Sequence, residues 1–336
     1  MGYKIDVNNF NKALSELSQT YSIYAPKVFK GQGTYSDTDR VRYGEITSVE
    51  EIEFEAKSEF SYKEILTPIS DTLFYFTEDE VKEADGPKKG AIIFLRSCDL
   101  HAVKRMDDIY LNNGFEDFYY KRIREKTKFI LMGCTKSFES CFCVDMGTNT
   151  ASNYDAYIKV DGDMVYLAGE MPELMMRLEE ATETKVEPEF VKENKTHVNI
   201  PENLSLDVMD STMWNEYNER CIACGRCNFV CPTCTCFTMQ DVFYEGSDRK
   251  KTGERRRVWA SCQVNGYTDM AGGHSFRGDK GQRMRFKVMH KVHDYKKRFG
   301  YHMCVGCGRC DDICPEYISF SNCINKLADA MEEVNK

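Results

Sequence analysis

The residues able to do chemistry in this chain are its cysteines. There are 16 in 336 positions, and ten of them fall in two short stretches. "CIACGRCNFVCP" at 221–232, continued by "TCTCF", matches "CVGCGRCDDICP" at 304–315. Both read C-x2-C-x2-C-x3-C-P with Gly-Arg in the middle. An iron–sulfur cube is gripped by thiolates at four corners, and closely spaced cysteines on one turn supply three of them. In two-cluster ferredoxins the fourth cysteine of each run, the one before proline, reaches across to the other cluster. The spacing therefore predicts one 4Fe–4S cluster on Cys221, Cys224, Cys227 and Cys314, and a second on Cys304, Cys307, Cys310 and Cys231. A zinc ribbon would use two pairs of ligands, not two triples each followed by Cys-Pro.

Four more cysteines, Cys98, Cys134, Cys141 and Cys143, precede position 221. "GAIIFLRSC" is a short apolar run suited to a buried strand. "DLHAVKRMDDIYL" has helical periodicity with Asp99 as its expected N-cap, and "KFILMGC" is a second buried-strand run. Strand, helix and strand predict a βαβ unit with parallel strands. Parallel strands deliver their C-terminal ends to one sheet edge, where open α/β folds place their sites. Cys98 and Cys134 then meet Cys141 and Cys143 of "GCTKSFESCFC", which suits a third cluster. Burial as small apolar side chains, or a zinc ion on the same thiols, are the alternatives.

Around these motifs the chain reads as two parts. "FNKALSELSQTY" carries Phe10, Leu14, Leu17 and Tyr21 at helical spacing. "DAYIKVDGDMVYLAGE" is a hairpin turning at Asp161-Gly162, and "PELMMRLEEA" a helix with Pro172 near its start. Residues 182–206 are polar and weakly periodic. They bound an α+β or α/β N-terminal domain, 1–206, from a cysteine-rich domain, 207–336. A net charge of −9 and pI near 5.4 disfavour nucleic acid or an anionic membrane as partner. No apolar run approaches the ~18 residues that span a bilayer, and "MGYKIDVNNF" lacks a signal-peptide core. A cytoplasmic protein is expected, whose thiols stay reduced.

Cys234, Cys236, Cys262 and Cys323 are left over. Cys234 and Cys236, just past Cys231, are expected to pack near the clusters or hydrogen-bond to their sulfurs; ligation of a further cluster or redox-active thiols is the alternative. "DRKKTGERRR" (248–257) and "RMRFKVMHKVHDYKKR" (283–298) are basic segments in an acidic chain. Such runs ordinarily mark a solvated face; docking of an acidic partner or compensation of anionic clusters are the alternatives. His101, His290 and His293 are expected to be ordinary surface or core histidines.

"RSCDLHAVKRMD", "CIACGRCNFVCPTCTCF", "RRRVWASCQ", "AGGHSFRGDKGQRMRFKVMHK" and "CVGCGRCDDICP" together give the chain a resemblance to the 4Fe–4S dicluster proteins. That group includes the β subunits of cytosolic nickel–iron hydrogenases (sulfhydrogenases) and the iron–sulfur subunit of anaerobic sulfite reductase. The segment "GCTKSFESCFCVDMGTNTASNYDAYI" and the chain length look most similar to the sulfite reductase protein. The resemblance implies a mostly α-helical, two-cluster ferredoxin module at the C-terminus. It also implies a non-catalytic relay that carries electrons from an NADH-oxidising FAD subunit to a sirohaem subunit reducing sulfite to sulfide. The alternative is the same relay in a cytosolic hydrogenase. In keeping with a relay, no G-x-G-x-x-G follows a strand, and Cys134 and Cys141 do not fit the C-x5-C of a sirohaem site.

Overall fold

The structure, a computed structural model, describes residues 2–245 and 251–335. Its strands are β1 (Gly2–Asp6), β2 (Tyr21–Phe29), β3 (Arg40–Glu45), β4 (Ser70–Phe76), β5 (Val81–Glu83) and β6 (Gly90–Leu95). They continue as β7 (Thr127–Met132), β8 (Ala156–Asp161), β9 (Met164–Gly169), β10 (Thr182–Thr184), β11 (Phe237–Phe243) and β12 (Gly253–Trp259). The first large sheet has the order β10-β1-β9-β8-β7-β6-β2-β3. Its middle is parallel, β2 to β6, β6 to β7 and β7 to β8, and its outer pairs are antiparallel.

Both faces of that sheet are buried, which is why its central strands are unbroken apolar runs rather than alternating ones. Ile92 and Phe94 of β6 pack on one face against Phe10, Leu14 and Leu17 of the Val7–Leu17 helix. Ile93 and Leu95 turn to the other face and meet Leu100, Val103 and Met106 of the Ser97–Tyr110 helix. The parallel strand–helix–strand unit is therefore present, but its helix begins three residues earlier than expected. Arg96 is the N-cap, and Asp99 is buried in the first turn. The hairpin turns where expected, with Asp161 opposite Met164 and Gly162 at a φ of 56°. After Pro172 the helix runs only to Met175.

The C-terminal part departs from a mostly helical module. Short helices do surround the cysteine runs, but β11 and β12 are seven-residue strands that form a second sheet, ordered β11-β12-β4-β5. That sheet crosses the expected boundary at residue 206, because β4 and β5 lie in the first half of the chain. Packing is reciprocal as well. Val305 and Cys307 of the second cysteine run belong to the core beside β6 and β7. In return, Phe142 sits in the C-terminal core with Trp214, Tyr217, Val288 and Ile324. Among the described residues, no helix is long and apolar enough to cross a membrane.

Candidate metal centres

The two cysteine runs fold the same way. In the first, Gly225 at φ 76° caps the helix Arg226–Phe229; in the second, Gly308 at φ 69° caps Arg309–Asp312. Ala223 (φ 57°) and Gly306 (φ 64°) occupy equivalent left-handed positions, and each directs its N–H to the first sulfur of its run. Ala223 N donates to Cys221 Sγ at 3.4 Å and Gly306 N to Cys304 Sγ at 3.5 Å. Ile318 N donates likewise to Cys314 Sγ at 3.4 Å. Hydrogen bonds to the sulfurs are among the features that set the potential of such centres.

Cys221, Cys224, Cys227 and Cys314 line one cavity, which Lys287 and Cys310 also border. The fourth cysteine on this cavity thus comes from the second run. Conversely, Cys231 of the first run is a close neighbour of Cys304, Cys307 and Cys310. The donors suit iron: thiols on tight loops, with N–H groups pointing at them. Burial pushes Cys221 and Cys310 above the ordinary thiol range and Cys304 to about 12. Buried thiolates in that setting need a cation beside them.

The N-terminal four also meet. Cys98 stands in the first turn of its helix, next to Cys143 and Cys307. Cys134, just past β7, faces Cys141, and Cys143 faces both Cys141 and Cys134. Burial raises Cys98 and Cys134 and pushes Cys143 to about 12. Asn194 Nδ2 donates to Cys143 Sγ at 3.7 Å. Among the described residues, no three His, Cys, Asp or Glu side chains gather at the spacing of a single bound ion. A zinc ion would draw its sulfurs to about 2.3 Å from one centre; a cube holds its ligands at separate corners.

This third set abuts the second cysteine run directly. A Cβ on Gly306 would lie 2.5 Å from Phe142 O, and one on Gly308 2.2 Å from Ser140 O. Lys57 ties the loops together: its Nζ reaches Cys307 O at 2.9 Å, Ser140 Oγ at 2.8 Å, Cys141 Sγ at 3.8 Å and Asp312 at 2.6 Å. Arg309, the motif arginine, makes two bonds to Asp99, of 2.7 and 2.9 Å. Lys57 sits in a polar stretch whose sequence gives no hint of this contact. Arg309 had a signal, since Gly-Arg recurs in both runs, but its partner beside Cys98 had none.

Among the remaining cysteines, Cys234 lies against Cys231, and Cys236 and Cys262 face each other. Hydrogen bonding from Cys262 holds Cys236 down at about 6. Asn228 bridges this pair to the first run: its Nδ2 donates to Cys262 Sγ at 3.0 Å, and Cys227 Sγ lies 3.9 Å from its Oδ1. Cys323 pairs with Tyr217 Oη at 2.9 Å in the apolar core, against which Cys221, Cys304, Cys310 and Cys314 also pack.

The basic segments are solvated only in part: Lys251, Arg255, Lys296, Lys297 and Arg298 are exposed, and others are engaged. Arg255 pairs with Asp241 across β11 and β12, and Arg257 with Asp117 at 2.7 Å. Asp248, Arg249 and Lys250 lie outside the described residues. Lys287 and Lys291, from the second segment, are buried among the sulfurs. His101 bonds the Thr150 carbonyl, His290 stacks on Phe286 and His293 meets Asp294; none faces a cysteine cluster.

Residues 220–318 match the 4Fe-4S dicluster domain family. Over its full length the chain is similar to sulfhydrogenase 2 subunit beta of Pyrococcus furiosus, at 28% identity over 347 aligned residues, covering 98% of each chain. No solved structure matches it.

Proposed function

We propose that this chain is the electron-transfer subunit of a multisubunit oxidoreductase of the sulfhydrogenase β kind, with three 4Fe–4S clusters. The first would be held by Cys221, Cys224, Cys227 and Cys314, the second by Cys304, Cys307, Cys310 and Cys231, and the third by Cys98, Cys134, Cys141 and Cys143. What carries the reading is the exchange of the fourth cysteine between two like-folded loops, in a chain similar end to end to a sulfhydrogenase protein. That similarity favours the hydrogenase partner over the sulfite reductase one, so a nickel–iron protein replaces the sirohaem protein as the expected electron-exchange partner.

Bound clusters supply one-electron transfer; the chain's own residues fix where it occurs. Cys98 neighbours Cys307, and Lys287 lies between Cys310 and Cys227, so the three sets follow one another in space. Cys224 alone among the sixteen cysteines is exposed, which leaves the first set nearest a docking partner. The second set is wrapped by Lys57, Arg309 and Val305, which keep water away.

Anaerobic affinity purification tests this reading through metal content and companion proteins. About twelve irons and matching acid-labile sulfide per chain are expected, falling to about eight in Cys98→Ser. A co-purifying nickel–iron protein supports the sulfhydrogenase kind, and a sirohaem protein would return the chain to sulfite reduction. Stoichiometric zinc without sulfide refutes the relay, and a full iron count in Cys98→Ser refutes the third cluster.

A further inference from the structure

Lys287 and Lys291 lie four residues apart on one continuous helical stretch, Lys280–Met289 running into a π-helical turn at His290–Asp294. Both are 3% exposed. Like charges at this spacing repel, and a buried ammonium without an anionic partner is strongly unfavourable. Yet among the described residues neither forms an ion pair with a carboxylate; the groups around them are sulfurs. Lys287 borders the first cavity and faces Cys227, Cys310, Cys234 and Cys231, with the Phe320 ring 5.2 Å from its Nζ. Lys291 faces Cys231, Cys234 and Cys304, and donates to Thr233 Oγ1 at 2.6 Å. Lys63, a third buried lysine nearby, also neighbours the sulfurs of Cys234, Cys231 and Cys236, but its ammonium is already engaged: it donates to the carbonyls of Cys234 and Asn228 and stacks on Trp259.

We infer that Lys287 and Lys291 are positioning residues that act as built-in counter-charges for the two C-terminal clusters, Lys287 shared by both and Lys291 serving the second. The inference rests on the cluster reading given above. A cation beside an iron–sulfur centre favours its reduced, more negative state, so each lysine raises the potential of the cluster it faces. Sharing Lys287 ties the two potentials together, which favours electron exchange between neighbours. Lys291 lies within the π-helical turn, a geometry often found at functional sites.

Potentiometric titration monitored by EPR, with iron measured on every sample, is the test. In Lys287→Met both midpoints are expected to fall, each by at least a tenfold change in the reduction equilibrium, about 59 mV for one electron. Lys287→Arg, which keeps the charge, should restore both. In Lys291→Met only the second cluster's midpoint should move. Unmoved midpoints at full iron content overturn the inference, as does an equal shift of both clusters in Lys291→Met. Should Lys287→Met lose its iron, Lys291→Met decides alone; loss of iron from both variants means a scaffolding role and overturns it too. Absence of clusters from the wild-type chain would instead sink the relay itself.

Discussion

Arg309 and Asp99 form the joint most exposed to a decisive mutation. The guanidinium is 2% and the carboxylate 0% exposed, and the two meet through paired bonds of 2.7 and 2.9 Å. Arg309 also donates to Ser58 through Nε to the carbonyl at 3.0 Å and through Nη2 to the hydroxyl at 3.1 Å. Burial opposes the arginine's charge, but Asp99 and the adjacent Cys307 and Cys98 sulfurs outweigh it and raise its pKa well above the ordinary value. Arg309→Met keeps the length and leaves Asp99 buried without a charged partner, the Tyr43 hydroxyl at 3.5 Å being its remaining contact. Breaking such a pair from one side costs about 3–5 kcal/mol, a fifth or more of the ~5–15 kcal/mol that holds an ordinary domain together. Asp99→Asn should cost a similar amount for the mirror-image reason. The double variant removes both charges and should cost less than either single change, because the pair's attraction and its desolvation nearly cancel. Anaerobic urea unfolding followed by far-UV circular dichroism gives the four corners of the cycle. A coupling of at least about 3 kcal/mol is expected, because the double variant costs less than either single one. If Arg309→Met loses less than about 1 kcal/mol, or the two single costs simply add, the joint is not what fastens the Cys98 turn to the second cysteine run.

Two further outcomes follow from the same packing. Gly308 and Gly300 both have positive φ, 69° and 87°, but a Cβ at Gly308 would meet Ser140 O at 2.2 Å while Gly300 faces open space. Gly300→Ala should lose only the left-handed penalty of about 1–2 kcal/mol, and Gly308→Ala about 1–3 kcal/mol more; equal losses in thermal unfolding would refute the tight loop-on-loop contact. Burial holds His290 down at about 4, against 6.5 for a free side chain. A folded-state pKa depressed in this way leaves its stability intact above pH 6.5 and removes it as pH falls towards 4, because the unfolded chain takes the proton first. The drop amounts to at most about 3 kcal/mol, and His290→Gln should flatten that part of the stability–pH curve; an unchanged slope would place the acid sensitivity elsewhere.

What could be seen in the sequence was whatever depends on neighbours in the chain. The βαβ unit, the Val7–Leu17 helix and the Asp161-Gly162 turn follow from periodicity and local turn chemistry, and the cysteine repeats from spacing. Contacts across long separations were not visible. Asp99 looks like a helix cap because Asp at such a position ordinarily is one. Its actual partner is 210 positions away, and that bond outcompetes the cap. "DRKKTGERRR" looks solvated for the same reason. Arg255 and Arg257 find Asp241 and Asp117 only once β12 has paired with β11 and the N-terminal half has folded against it. The second basic segment divides between its readings: Lys287 and Lys291 are buried beside sulfurs, as compensation of cluster charge would require, while Lys296, Lys297 and Arg298 are exposed.

Reciprocal packing also bears on why three thiol sets occupy one chain. Electron exchange between neighbouring centres requires fixed separation, and two domains joined by a flexible linker would not provide it. Here the N-terminal loop gives Phe142 to the C-terminal core, and the C-terminal run gives Val305 and Cys307 to the N-terminal core. Neither half can move without emptying a pocket in the other, and opened cavities of that kind are costly. The glycines at 306 and 308 bring the two backbones closer than any side chain would permit, while Lys57 and Arg309 neutralise the charge gathered at the seam. The interface between the halves is thus built as a core rather than as a docking surface, with the second and third thiol sets held on either side of it.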